Sequence, residues 1–417
     1  MTQEADRLRA DLRAQLPSEL PRRLGVAVSG GGDSVALLDL LIDVLDGEGV
    51  AISAATVDHG LRPEATKEAA QVAALAARLG IAHETLRWEG WDGSGNLQDQ
   101  ARQARYHLLT GWARRNGITL LALGHTADDQ AETVLMRLGR AAGVTGLSAM
   151  PARRVQDGVT LWRPMLGITR ARLRDHLRAR GLNWIEDPSN QDTRFDRIKA
   201  REALAQLGPL GITAESLASV AQNLAQARDA LDHYTLKSAQ NLARPDEGDV
   251  LLNLRGFSAL PEEIARRLLL AITGWIAGHT YPLRRAAVQE ALTALHAGRA
   301  GALGGCLILR TGDEARFCRE YNAIRDIAGP VDQPWDNRWT LTGPTIQGAT
   351  VRALGEEGLT QMPDWRATGR PQAALIGSPA VWKDGDLLAA PIAGYANGWQ
   401  TGLLVEWEEF LATLLSH

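Results

Sequence analysis

The chain is poor in several things at once. Of its 417 residues only two are cysteines, Cys306 and Cys318. That excludes a disulfide framework and any cysteine-rich zinc or iron–sulfur site, and it suits a reducing compartment. No apolar run approaches the roughly 18 residues that a membrane-spanning helix needs. The first 20 residues carry Glu4, Asp6, Asp11 and Glu19 and no apolar stretch, so they do not read as a secretory signal and the expected location is cytoplasmic. Lysine is scarce: Lys67, Lys199, Lys237 and Lys383 are all of it, leaving 41 arginines among 45 basic residues. A GC-rich genome accounts for that bias more simply than phosphate binding does. Net charge is −4, so a nucleic-acid partner would have to meet a local basic patch. Internal repeats and low-complexity tracts are absent.

What is present is a soluble globular composition, 45% hydrophobic and 23% charged, long enough for two to three domains at roughly 150 residues each. Apolar strand patterns at 24–29, 50–57, 81–87 and 118–124 alternate with helical patterns from 35, at 64–79, at 97–115 and from 126 onward. That alternation predicts an α/β fold with a parallel sheet covered on both faces. Residues 201–300 are rich in Ala, Leu and Arg at helical spacing, with a clear amphipathic helix opened by Pro261. A short hairpin is expected at 303–321, and Gly329 to Asn337 reads as a linker. Residues 335–417 hold six of the twelve tryptophans and read as a small mixed α+β domain. The expected division is 1–205, 206–328 and 335–417.

The first strand runs into Ser29-Gly30-Gly31-Gly32-Asp33-Ser34 and then a helix. In that position free backbone N–H groups and the helix N-terminus face one small volume, which suits an anion. Val35 stands where a dinucleotide fingerprint needs its third glycine, and no Gly-Lys-Ser/Thr follows. A carboxylate at Asp33 beside a polyphosphate is repulsive unless a divalent cation lies between them, which makes Asp33 a candidate metal ligand. Farther on, Gly124-His125-Thr126-Ala127-Asp128-Asp129-Gln130-Ala131-Glu132 opens another helix. Asp128 and Glu132 are spaced i, i+4 and Asp129 and Glu132 i, i+3, so three carboxylates can share one region of surface. The plainer reading of such a cluster is an acidic first turn complementing the helix dipole. His59 and His125 each end a predicted strand. Arg102, Arg105 and Tyr106 form one helical face that is either solvated or meets ATP or RNA. Residues 151–201 carry twelve basic side chains against six acids, a patch of the sign that RNA phosphates need.

The Ser29–Ser34 loop resembles the PP-loop of the ATP pyrophosphatase superfamily, whose fold is adenine nucleotide alpha hydrolase-like. Four further segments narrow the resemblance: Val57-Asp58-His59-Gly60-Leu61-Arg62; Gly95-Asn96-Leu97-Gln98 leading into Ala101 to Tyr106; Gly124 to Thr133; and Trp184-Ile185-Glu186-Asp187-Pro188-Ser189-Asn190 before Asp192, Arg194, Phe195 and Arg197. Together these resemble the tRNA(Ile)-lysidine synthetase family over residues 24–200. The family's Arg-Asn pair is here Arg197-Ile198.

The resemblance implies a carbon–nitrogen ligase. It would adenylate the wobble cytidine of the isoleucine tRNA with a CAU anticodon, let free lysine displace AMP, and release pyrophosphate. It implies ATP as substrate, held by Ser29, Gly30, Gly31, Gly32, Asp33, Ser34, His59 and His125, with magnesium on Asp33. Lysine would meet Asp128, Asp129 and Glu132, and tRNA would meet Arg102, Arg105, Arg194 and Arg197. Asp33, Asp129, Glu132 and Arg197 are the expected catalytic set. The two later domains would grip the tRNA. Another PP-loop enzyme acting on a tRNA base is the alternative, although thiolation generally uses active-site cysteines and none precedes Cys306. A non-catalytic tRNA-binding relative is the other. Oligomeric state, homodimer included, is not written in the sequence.

Overall fold

The computed structural model describes residues 2–60, 63–89, 97–186, 196–278 and 283–415. The chain divides into two compact units, Met1–Arg228 and Asp229–Ser416. Among the described residues no helix is long and apolar enough to cross a membrane.

The first unit contains α1 (Thr2–Arg13), β1 (Arg23–Ala27), α2 (Gly32–Val44), β2 (Ala51–Asp58), α3 (Pro63–Arg78), β3 (Ala82–Arg87), α4 (Leu97–Arg115), β4 (Leu120–Leu123), α5 (Ala127–Leu138), α6 (Val144–Leu147), β5 (Arg153–Gln156), β6 (Val159–Trp162), α7 (Arg170–Arg180) and α8 (Asp196–Leu207), and α9 (Ala214–Leu242) begins in it. Its sheet has the order β3-β2-β1-β4-β6-β5. All neighbours are parallel except β5, which closes the edge antiparallel to β6. The expected parallel sheet is therefore present, with one antiparallel edge. That edge comes from a two-residue turn at Asp157-Gly158, both at positive φ (50° and 76°), the conformation that an Asp-Gly pair favours.

The chain leaves β1 toward β2 on one side, while β4 lies on the other. In open sheets of this kind the crevice at the strands' carboxyl ends lies at such a switch point. The segments that emerge there are 28–34 and 124–129. Leu37, Leu38, Leu40 and Leu41 of α2 are completely buried against a core that includes Trp162, Met165, Leu173 and Leu177. The helix behind the glycine loop is thus fixed on every side. His176 on α7 meets Asp39 on α2 at 2.7 Å, which Arg180 also contacts at 3.1 Å.

The second unit holds β7 (Ala243–Asp246), β8 (Asp249–Asn253), α10 (Leu254–Ser258), α11 (Glu262–Ala277), α12 (Arg285–His296), β9 (Gly301–Leu303), β10 (Cys306–Thr311) and β11 (Glu314–Arg319). The strands form an antiparallel sheet, β7-β8-β11-β10-β9. The hairpin expected at 303–321 is β10–β11. Strands β7 and β8 were not expected within the helical stretch; they turn through Glu247-Gly248, both at positive φ. Next come β12 (Ala328–Pro330), β13 (Trp339–Thr342), β14 (Thr350–Ala353), α13 (Gly355–Thr360), α14 (Gln372–Leu375), β15 (Pro379–Lys383), β16 (Asp386–Ala389), β17 (Gln400–Leu403) and α15 (Trp407–Thr413). They give a four-stranded sheet, β12-β14-β15-β16, and the pair β13-β17.

The linker expected at Gly329 to Asn337 is not one. Gly329 and Pro330 pair with β14, Trp335 is buried, and Asp336 accepts two hydrogen bonds from Arg319 at 2.8 and 3.0 Å. Apolar burial at Trp335 outweighs the turn-forming character of its neighbours. Trp335, Trp339, Trp382 and Trp399 form one core, so much of the tryptophan enrichment is packing.

Candidate active site

The loop after β1 folds back on its own side chains. Ser29 N–H donates to Ser34 Oγ at 3.1 Å, Ser34 Oγ–H donates to the Gly31 carbonyl at 2.9 Å, and the two serine oxygens are 3.3 Å apart. Gly31 caps α2 without any side-chain hydrogen bond, so the first N–H groups of the helix stay open to a ligand. Gly30 requires its residue type twice: φ is +88°, and a Cβ would lie 2.6 Å from Ile185. Ile185 N–H also donates to the Gly30 carbonyl at 2.9 Å. A Cβ on Gly124, at the end of β4, would sit 3.0 Å from Ser34 Cα. Two strand ends therefore converge on one cradle.

Beside the cradle stands a carboxylate cluster. Thr126 and Asp129 form a reciprocal cap at the start of α5, with Thr126 N–H donating to Asp129 Oδ2 at 2.9 Å. Asp129 thus lends one of its oxygens to the start of the helix. The other faces Arg170, the first residue of α7. Arg170 Nε donates to Asp33 Oδ2 at 3.0 Å, its Nη2 lies 3.4 Å from Asp129 Oδ1, and its Nη1 lies 3.8 Å from Glu132 Oε1. Its backbone N–H donates to Asp128 Oδ2 at 2.7 Å. One arginine therefore touches all four acids singled out in the sequence. Burial works against its charge, but Asp33, Asp129 and Asp128 raise its pKa above the ordinary arginine value.

Burial pushes the Asp33 carboxyl up, opposed by Arg170. Burial also raises Glu132, opposed by Arg201, whose Nη2 donates to Oε1 at 2.8 Å. Glu132 Oε2 is buried and accepts no hydrogen bond. A buried carboxylate oxygen without a donor is costly and suits an incoming cation.

The two histidines are neutral at physiological pH. Burial lowers His125 to about 3, with Arg163, Arg105 and Arg197 pushing the same way and Asp129 opposing. His59 is lowered by burial and then by Arg105, and its ring meets Trp88 edge-on at 5.9 Å. Neither Nδ1 atom has a partner. The charges of Arg105 and Arg197 are thus both felt at His125. Tyr106 is buried beneath the guanidinium groups of Arg102 and Arg105, 5.4 and 5.3 Å from its ring centre. Burial works to raise its pKa, but Arg105, Arg102 and Arg163 lower it to about 8.

The loop, the four acids, His125 and Arg197 are gathered at one end of the sheet, with Arg102 and Arg105 along α4. Arg194, Leu61, Arg62, Gly95, Asn96 and 187–195 lie outside the described residues. Part of the basic stretch 151–201 is answered within the fold, while Arg153, Arg154, Arg178, Arg197 and Lys199 are exposed. Arg172 pairs with Glu4 and Asp11, Arg180 with Asp39 and Asp43, Arg201 with Glu132, and Arg163 is buried. Counting charge along the chain missed these partners because they are remote in sequence. Arg170 was missed for the same reason. It lies 137 residues from Asp33, and no local pattern marks it.

Residues 4–207 match the PP-loop domain family. A tRNA(Ile)-lysidine synthase of Ruegeria pomeroyi is 62% identical over 406 residues, 97% of each chain. The enzyme of that name from Wolbachia pipientis wMel is 35% identical over 390 residues, 91% of this chain and 90% of its own. That of Rhodopseudomonas palustris is 42% identical over 326 residues, covering 74% and 92%. With these likenesses extending well past the ATP-utilising domain, the chain belongs to the tRNA(Ile)-lysidine synthase family.

Proposed function

We propose that the protein joins free L-lysine to the wobble cytidine of the isoleucine tRNA bearing a CAU anticodon, using ATP. The cytidine 2-oxygen attacks the α-phosphorus and pyrophosphate leaves. The lysine amino nitrogen then bonds to C2, the C2–O bond breaks with AMP departing, and the amine loses one proton. The product is lysidine. The observation that carries this reading is the open N-terminus of α2 immediately beside the buried, half-unpaired Glu132: an anion cradle and a cation reader share one crevice.

Ser29 to Ser34 would hold the phosphates through backbone N–H groups and hydroxyls. Neutral His59 and His125 would face the nucleotide or the cytidine as hydrogen-bonding groups without charge. Asp128, Asp129 and Glu132 would receive lysine, and the raised pKa of Glu132 suits it to accept the amine's proton. Arg102, Arg105 and Arg197 would meet the tRNA, with Arg197 also placed to act near the α-phosphate. Residues 1–205 would form the catalytic domain, and 206–328 and 335–417 the tRNA-holding parts.

Asp33 would bind magnesium. Its hard oxygens fit an ion that takes one or two carboxylates together with phosphate and water. That ion supplies charge neutralisation along the phosphates. Arg170 already offsets Asp33, however, so repulsion between Asp33 and phosphate no longer requires a metal by itself. A cytoplasmic setting suits the substrates.

The test is incorporation of labelled lysine into unmodified isoleucine CAU tRNA, with ATP and magnesium, beside methionine CAU tRNA. Label on the isoleucine species alone is expected. Lysine-independent AMP formation without label would point to another nucleophile.

A further inference from the structure

Arg170 stands where a cationic substrate has to go. Its three guanidinium nitrogens reach Asp33, Asp129 and Glu132 at 3.0, 3.4 and 3.8 Å, and its side chain is 18% exposed. Asp129 has no oxygen left over, since Oδ2 caps α5 and Oδ1 faces Arg170. Glu132 keeps one oxygen free, but its other is shared between Arg201 and Arg170. The tightest of the three contacts is to Asp33, on the first turn of the helix that cradles anions, and the longest is to Glu132.

We propose that Arg170 is a positioning residue that orders substrate binding: it occupies the acidic cluster until the phosphates of ATP draw it away, and only then does lysine bind well. A polyphosphate at the α2 N-terminus puts negative charge beside the Asp33 contact. A guanidinium prefers a phosphate that it can grip in two places over a carboxylate 3.8 Å distant. The Glu132 contact is the first to give way. Asp129, released from Arg170, then lacks its nearest counter-cation and Glu132 keeps only Arg201, which favours an ammonium group. Coupling of this kind between two ligands is reciprocal, so lysine must equally strengthen nucleotide binding.

The inference rests on the reading of lysine as substrate, and the experiment separates the two. Binding of labelled lysine to the full chain is measured by equilibrium dialysis with the isoleucine CAU tRNA present, with and without α,β-methylene-ATP. The wild-type protein is expected to bind lysine roughly five- to a hundred-fold tighter with the analogue, the usual span of ligand coupling. Arg170→Gln, which keeps a hydrogen-bond donor but no charge, is expected to bind lysine without the analogue at least as tightly as wild type does, and to lose most of the coupling. Arg170→Lys, a point charge on a flexible stem, is expected to retain part of it. Equal coupling in wild type and Arg170→Gln overturns the proposal. So does loss of lysine binding by Arg170→Gln in a chain that still binds the analogue, because Arg170 would then only support the site. Absence of lysine binding by wild type under both conditions overturns the substrate reading itself.

Discussion

Two clusters of arginine and acid among the described residues differ in balance. In the first unit Asp33, Asp129 and Glu132 meet the guanidinium groups of Arg170 and Arg201, and Asp128 accepts from the backbone N–H of Arg170. In the second, Asp246 and Asp249 meet Arg316 at 2.6 and 2.7 Å and Arg370 at 2.5 and 3.4 Å, closing a square. Arg338 adds a third positive charge felt at Asp249, and it is stacked between Trp275 and Trp339. Each carboxylate of the square meets two guanidinium groups, leaving the Nε atoms of Arg316 and Arg338 without an acceptor, whereas the four-acid cluster has acid to spare and an oxygen on Glu132 with no donor. Buried acids answered by arginines have no need of a ligand; buried acid left over at a crevice is poised for a substrate.

The largest effect that breaks this comparison comes from removing one corner of the square. Arg316→Met leaves Asp246 and Asp249 facing Arg370 alone at a buried site, and a loss of about 3–5 kcal/mol is expected in urea unfolding of the second unit. Nucleotide affinity of the remaining folded protein should not change. A loss under 1 kcal/mol would mean that solvent already reaches the pair.

The matching change in the first unit should reverse the pattern. Glu132→Gln keeps the shape and removes a carboxylate that burial already disfavours. Stability should shift by less than about 1 kcal/mol, while kcat/KM for lysine falls on the order of a hundred-fold, comparable to deleting one preorganised charge. The KM for ATP should hardly move. Equal losses for lysine and ATP would make Glu132 a structural residue like Asp249.

Much of the first unit could be read in the chain, because β1, β2 and β4 are short, largely apolar runs and α2 and α5 open at Gly31 and Thr126. The glycine loop and the acids at 128–132 were legible since their chemistry is local. The β5–β6 hairpin is marked only by Asp157-Gly158, since β5 is four residues long and carries two arginines. Arg170 had no local sign. Its role is set by where α7 begins relative to α2 and α5, which only the folded chain decides. Trp335 shows the converse error: a Pro- and Asp-rich stretch reads as linker until one large apolar side chain finds a core.

The smallest expected effect tests which force governs the square. Burial raises Asp249 to about 6, although Arg316 and Arg370 oppose it. An ordinary aspartate in the unfolded chain titrates near about 3.9. Between those two values the unfolded chain gives up a proton that the fold retains, so stability should fall as pH rises from about 4 to about 6 and level off on either side. Two pKa units correspond to a change of about 2–3 kcal/mol at most. Urea midpoints of wild type and Asp249→Asn, measured across that window, isolate this contribution because only the difference between their slopes belongs to Asp249. A difference of the opposite sign, with the wild type gaining stability relative to Asp249→Asn over the same window, would show that pairing with Arg316 outweighs burial. The square would then be a net attraction instead of a tolerated cost, and the contrast with the unmatched acids of the first unit would widen.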